Sequence, residues 1–294
     1  MRIKTTNYNS PTTSFFQKST WFGSISFASR YVTISTSSPP TSSESIEMDS
    51  EIDDVTNTHL HVAILMSNGR HVAVRRIDDV GGKFKILDFS NDVVGDSESP
   101  LLVSTSREVY LVLRRKILKT SSEILKILKD SEGVTSEIQR IQFPWPVKIE
   151  EAVAGHDFVI FRDFGGNLFS MGTGTRGELG VGLIRRIDAP VHIEHLAGIR
   201  IQKVVCGGWH TVALTDGGDV YVWGWNRYRQ LGKDKPATEM YPVLLDPSEE
   251  FDEGSSDDVI DDIMATENTT EIRIGHAHFL MGSDDVAINE FVIS

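Results

Sequence analysis

A single cysteine, Cys206, stands among 294 residues, so the chain can form no internal disulfide and no thiolate zinc cluster. That scarcity points to a reducing compartment: cytosol, nucleus or mitochondrial matrix. Long apolar runs are missing too. The longest are of the size of residues 62–66, far short of the roughly 20 that a membrane helix needs. No apolar core of about 7–15 residues marks a secretory signal near the start. Residues 1–43 contain no acid, only Arg2, Lys4, Lys18 and Arg30 in a Ser/Thr-rich background. That composition reads as a flexible lead-in, with a mitochondrial presequence as its rival. Residues 246–267 show the reverse lack, ten acids and no Lys or Arg, and read as a solvated, disordered loop. A net charge of -13 argues against nonspecific binding of nucleic acid by the body of the protein, and no strong direct binding is expected.

What the chain has is glycine, 24 against 10 prolines, which favours tight turns over long helices. Residues 58–115 alternate short β-rich runs with turn residues. Residues 116–129 carry Ile117, Leu118, Ile124, Leu125 and Leu128, a spacing compatible with an amphipathic helix. Sliding the sequence against itself by 52 positions pairs residues 153–180 with 205–232 without a gap. Gly155 meets Gly207, Gly166 meets Gly218, Phe169 meets Tyr221 and Met171 meets Trp223. Gly172, Leu179 and Gly180 meet Gly224, Leu231 and Gly232 in the same register. A worn third copy is expected from Ile274-Gly275-His276-Ala277-His278, at an offset of 68 from Cys206-Gly207-Gly208-Trp209-His210. The expected organisation is a basic lead-in over 1–45 and degenerate β-rich blades over 46–150. Two clear repeats follow over 151–245, then an acidic loop over 246–270 and the worn copy over 271–294.

Within a copy, residues 211–214 form an apolar strand, 216–219 a glycine hairpin and 220–225 a returning strand of aromatic and β-branched residues. Antiparallel units of about 40–50 residues with fixed glycines and aromatics indicate a β-propeller, each blade burying its faces on its neighbours. The string CGGWHTVALTDGGDVYVWGWNRYRQLG resembles repeats of the regulator-of-chromosome-condensation type. It does so at Gly207, His210, Gly218, Tyr221, Trp223, Gly224, Leu231 and Gly232, and departs at Arg229, where that pattern has glycine. The earlier copy resembles it at Gly155, Gly166, Gly172, Leu179 and Gly180, and has Phe158 in place of the histidine. The resemblance implies an all-β propeller of that type, irregular or incomplete, with four to seven blades. It also implies a non-enzymatic scaffold or adaptor for protein partners, nuclear and chromosomal or cytoplasmic in location. One member resembles a nuclear adaptor that partners a JmjC-domain histone demethylase in chromosome segregation; a histone-modifying enzyme or histones are thus expected partners. Guanine-nucleotide exchange on a small GTPase and a mitochondrial relative are the rival readings.

Other constellations carry less. Residues 172–177 spell GxGxxG, but the glycines that follow deny the helix a dinucleotide site requires. His192 and His195 have a metal-like spacing without a third ligand. His210 and Cys206 fall inside the repeat pattern, the first hydrogen-bonding within the blade and the second an inert buried thiol. No catalytic group, cofactor or metal site is expected. Trp223 and Trp225 are read as facing different ways, Trp223 into the core and Trp225 toward a surface where it could touch a partner. Asp257, Asp258, Asp261 and Asp262 are the acids that would meet a basic partner.

Overall fold

The computed structural model describes residues 3–5, 16–20, 23–36, 43–67, 69–79, 81–89, 100–114, 121–129, 133–246 and 259–282. Among the described residues, alternation of apolar and polar residues between turns produces strands arranged as six antiparallel sheets whose neighbours are consecutive in sequence. The first holds β1 (Ile3–Thr5), β2 (Phe16–Thr20), β3 (Gly23–Ala28), β4 (Tyr31–Thr36) and β5 (Ser43–Glu47). The second holds β6 (Ile52–Asn57), β7 (His61–Met66), β8 (His71–Arg76) and β9 (Lys85–Asp88). The third holds β10 (Leu101–Ser104), β11 (Glu108–Leu113), β12 (Glu123–Lys129) and β13 (Gly133–Gln142). The fourth is β14 (Ile149–Ala154), β15 (Phe158–Asp163), β16 (Leu168–Gly174) and β17 (Ile184–His192). The fifth is β18 (Ile201–Cys206), β19 (His210–Thr215), β20 (Val220–Trp225) and β21 (Thr238–Leu245). The last is β22 (Asp262–Ala265), β23 (Thr270–Ile274) and β24 (Ala277–Met281). The chain divides into two compact units, 1–141 and 142–294.

In the first unit, one core joins the first two sheets through Ile25, Phe27, Val32, Ile34, Val55 and Ile64. Another joins the second and third through Leu65, Val72, Val109, Leu111 and Leu125. Arg75, on β8, is buried and grips Glu44 on β5 with both ends of its fork, at 3.0 and 2.7 Å. That bidentate bond holds the Glu44 carboxyl below the usual carboxylate range. In the second unit, Phe158, Leu179, Cys206 and Trp223 fill the core between the fourth and fifth sheets. Val212, Leu231, Ile263 and Ile272 fill that between the fifth and sixth.

Two backbone links recur. Thr58, Thr105, Gly155, Gly207 and Thr266 each donate their N–H three residues on, to the carbonyls of His61, Glu108, Phe158, His210 and Thr269. The residue after each of the first, third and fourth of these donates to a neighbouring sheet in the same unit. His59 N–H reaches Ser106 O at 2.7 Å, while His156 reaches Gly208 O and Gly208 reaches Glu267 O, both at 2.9 Å. At the far end of the sheets, Ile52, Ile201 and Ile260 donate to the carbonyls of Ser29, Gly166 and Gly218. Ser29 has φ 50, in the left-handed region where the other two positions have glycine.

Four expectations change. The lead-in is a sheet over much of its described length: Ile25, Phe27, Val32 and Ile34 alternate inward along β3 and β4, and the Ser/Thr residues between them disguise the period. Residues 123–129 are a strand, not a helix. Ile124, Leu125 and Ile127 are all buried, and a strand covered on both faces has the apolar density of a helix face; residues 121 and 122 lead into it outside any helix, and 116–120 lie outside the described residues. The acidic stretch includes β22, because Ile260 and Ile263 are buried among the charges; Asp257 and Asp258 lie outside the described residues. The last copy is registered differently, since Ile260 plays the part of Ile201, 59 positions earlier. Gly275 and His276 therefore connect β23 to β24 and do not match Gly207 and Gly208.

Candidate protein-binding surface

Most repeat residues are spent on joining sheets. Trp223 is fully buried, its indole N–H donates to Glu178 O at 3.0 Å, and the Thr211 hydroxyl donates to the same carbonyl at 3.2 Å. Gly180 lies so close that an added Cβ would come within 2.9 Å of the Trp223 ring nitrogen. Leu179 and Leu231 are fully buried, and Tyr221 packs on the core. Gly166 and Gly218 carry the hairpins, Gly172 and Gly224 run against the turns at Asp157 and Trp209, and Gly232 closes the following loop. An added Cβ on Gly155 or Gly207 would stand 2.0 Å from the ring of Phe158 or His210.

His210 is buried with Nε2 3.0 Å from the Thr270 hydroxyl, and burial lowers its pKa to about 4. The Cys206 thiol lies 3.9 Å from the Thr211 hydroxyl, and burial pushes its pKa far up, the opposite of what a nucleophile needs. Residues 172–177 end β16 and turn into β17, with no helix after them. His192 bonds Glu194 at 3.0 Å and packs by Trp145, while His195 stacks on Tyr241 with ring centroids 4.2 Å apart. Neither joins a cluster of three or more His, Cys, Asp or Glu among the described residues. Asp262 pairs with Lys203 at 2.5 Å and Asp261 accepts the Gly275 N–H. Both carboxylates are therefore engaged within the chain.

A different group stands at the end where β18 leaves, β19 begins and β20 stops. Trp209 occupies the β18–β19 turn and Trp225 the last position of β20, with ring centroids 5.3 Å apart and planes at 88°. On a regular strand Trp223 and Trp225 would share a face. The register shift between Val222 and Gly224 intervenes, and Trp225 is half-buried where Trp223 is enclosed. Arg176, from the loop after β16, lies 4.5 Å from the Trp209 ring centroid and 5.0 Å from that of Trp225. A guanidinium over two rings gains cation–π attraction and keeps its donors free to face outward. Tyr228 adds a ring edge 5.7 Å from Trp225, and Arg227 lies 5.9 Å from the same ring. On the other flank His156 packs on Trp209 at 4.4 Å and bonds Glu267 at 3.2 Å.

The loop that presents Tyr228 and Arg227 is braced from inside. Buried Asn226 accepts the Leu231 N–H at 2.8 Å and donates to Gly232 O and Lys235 O. Sequence reasoning singled out Trp225 alone. Arg176, Trp209, Arg227 and Tyr228 escaped it because they come from two copies and the motif leaves their positions open. The available signal was charge: residues 227–235 hold two Arg and two Lys against one Asp in an acidic chain.

The fold and this surface define an all-β protein of propeller type, built from antiparallel blades. Residues 165–214 and 217–260 match the family model described as regulator of chromosome condensation (RCC1) repeat. It is 39% identical over 85 residues to the RCC1 domain-containing protein 1 of Mus musculus, a match covering 29% of this chain and 22% of that protein. A human protein, WBSCR16, shares the fold at TM-score 0.63 and 14% identity, over 84% of this chain and 67% of that one. Prp20p from Saccharomyces cerevisiae, whose structure was described with its binding to Gsp1p and histones, does so at TM-score 0.56 and 17% identity, over 81% and 58% of the two chains. The chain thus spans about a fifth of the curated relative it matches.

Proposed function

We propose that this chain is a non-enzymatic binding module that meets a protein partner through the surface where Trp209 and Trp225 hold Arg176 between them. One observation carries the reading. Trp223, Thr211, Gly180 and Leu231 are consumed by packing between blades, whereas these three side chains remain at the solvent edge, and Trp and Arg are the residue types that most often anchor protein interfaces. His210 and Cys206, the groups with most catalytic promise in the sequence, are enclosed and held in their neutral forms, which supports a binding role over catalysis. The family resemblance extends the reading to a nuclear, chromatin-associated setting, with a JmjC-domain histone demethylase or histones as partner.

The test is a photo-crosslinking residue placed at Tyr228 in the full chain and exposed to nuclear extract, with the same residue at exposed Tyr31 as control. A partner captured from position 228 and absent from position 31 is the expected result. Equal or no capture would remove the reading, and recovery of no chromatin-associated protein would remove the nuclear setting. Stimulated nucleotide exchange on a small GTPase would favour the exchange-factor reading instead.

A further inference from the structure

We infer that the segment bound at this surface is an acidic stretch of peptide, its carboxylates taken by Arg176, Arg227 and Arg229 and its backbone or apolar groups laid against Trp209, Trp225 and Tyr228. The inference rests on the binding role proposed above and assigns the chemistry of the partner.

The charge pattern is the first ground. The chain carries a net charge of -13, yet Arg176 and Arg227 lie 5.0 and 5.9 Å from the Trp225 ring, and exposed Arg229 follows Arg227 by two residues in the same loop. Among the described residues none of the three has a carboxylate within ion-pair distance, a state shared by Arg185 on β17 and Arg273 on β23, while Arg75, Arg76, Arg140, Arg162, Arg186 and Arg200 all have one. Unpaired guanidinium groups on an acidic body attract acidic segments and repel basic ones, so of the partners proposed above this surface fits an acidic stretch of the demethylase, and a basic histone tail would have to dock elsewhere on the chain.

Arg229 is the second. The offset of 52 places it where the earlier copy has Gly177, at φ 79, and Arg229 holds φ 62 in the same turn. An L-residue in this conformation is strained, and glycine is the relaxed solution that the earlier copy adopts. Among the described residues the side chain is exposed and bonds to nothing. A strained position occupied by a solvent-facing arginine, beside Arg227 and Tyr228, is what a binding surface retains against the interest of stability.

Arg176 is the third. Its two flanking rings fix the guanidinium before any partner arrives, which reduces the ordering cost of a bidentate bond to a carboxylate.

The test measures anisotropy of a fluorescein-labelled peptide of mixed Glu, Asp and Gly on the full chain, against a counterpart with Lys in place of each acid. Melting curves accompany every variant. The acidic peptide is expected to bind, to weaken as salt rises, and to lose about tenfold in affinity with Arg176→Gln or Arg229→Gly. Arg229→Gly is the decisive variant, since it is expected to melt no lower than the parent while binding worse, so misfolding cannot explain its loss. Unchanged affinity in both variants, equal binding of the Lys peptide, or no binding of the acidic one would overturn the inference. A single-stranded DNA oligonucleotide of equal charge displacing the peptide at lower concentration would overturn it as well, in favour of a general polyanion site. Should the acidic peptide fail while crosslinking at Tyr228 persists, only the chemistry assigned here falls; if both fail, so does the binding role.

Discussion

The turns at Thr58 and Gly207 make the same backbone hydrogen bond by opposite means. At Thr58 the side chain does the work: its hydroxyl accepts the N–H groups of Leu60 at 3.2 Å and His61 at 3.0 Å. Thr105 repeats this with Arg107 and Glu108. These are hydroxyl-capped turns that stand without help from outside. At Gly207 and Gly155 no side chain exists, and the space is filled by the ring of His210 or Phe158. Both kinds of turn then send the next N–H to another sheet, from His59 in one unit and from His156 and Gly208 in the other. The blade is therefore a backbone pattern that tolerates two side-chain solutions. The glycine-and-ring version closes the joint tightly, and the residue beside it is then free to be Trp209, which serves the surface.

Exchanging the two solutions breaks the comparison most sharply. Gly207→Thr puts a Cβ 2.0 Å from the His210 ring and 2.4 Å from Thr266 O, and should lower stability by about 3 kcal/mol or more in urea unfolding of the second unit. A second difference is titratable. Burial lowers His210 from the ordinary 6.5 to about 4, so between those values the unfolded chain binds the proton and the folded chain does not. Its contribution is complete above pH 6.5 and is lost as pH falls toward 4, about 3 kcal/mol in all. His210→Phe, the residue used by the earlier copy at Phe158, should flatten the denaturation midpoint across that range. The reverse exchange, Thr58→Gly, removes a hydroxyl cap and leaves no clash, and should cost only about 1 kcal/mol. Smallest are gains: Ser29→Gly and Arg229→Gly relieve left-handed φ values of 50 and 62 and should each add up to about 1 kcal/mol, read as a higher melting temperature.

The second unit was legible because its repeat writes the joint in rare letters. Glycine is required where Gly207 meets a ring and tryptophan where Trp223 reaches Glu178 O, and both stand out in a self-comparison. The first unit obeys the same backbone plan with Thr, Val, Ile and Leu, which fit any strand, so β7 to β11 were visible as strands and their blades only as degenerate ones, while β6 went unread. In β3 and β4 the inward residues alternate with Ser and Thr, and that polarity resembled a flexible segment. In β12 burial on both faces imitated a helix. The arginine–tryptophan surface was the least legible element, since its members lie 51 residues apart, from Arg176 to Arg227, and meet only because two blades stack with a one-repeat offset. Trp225 was singled out on the premise that it and Trp223 face different ways, which residues two apart on a regular strand do not; the irregularity after Val222 is what separates them.

Amide hydrogen exchange on the full chain tests the shared blade plan most directly, read at His59, His156 and Gly208. All three donate to a carbonyl of a neighbouring sheet at 2.7–2.9 Å and should exchange as slowly as strand interiors such as Leu65 and Val212. Slow exchange at His156 and Gly208 with free exchange at His59 would contradict it, showing that the glycine-and-ring turns alone build the joint and that the threonine turns belong to another arrangement.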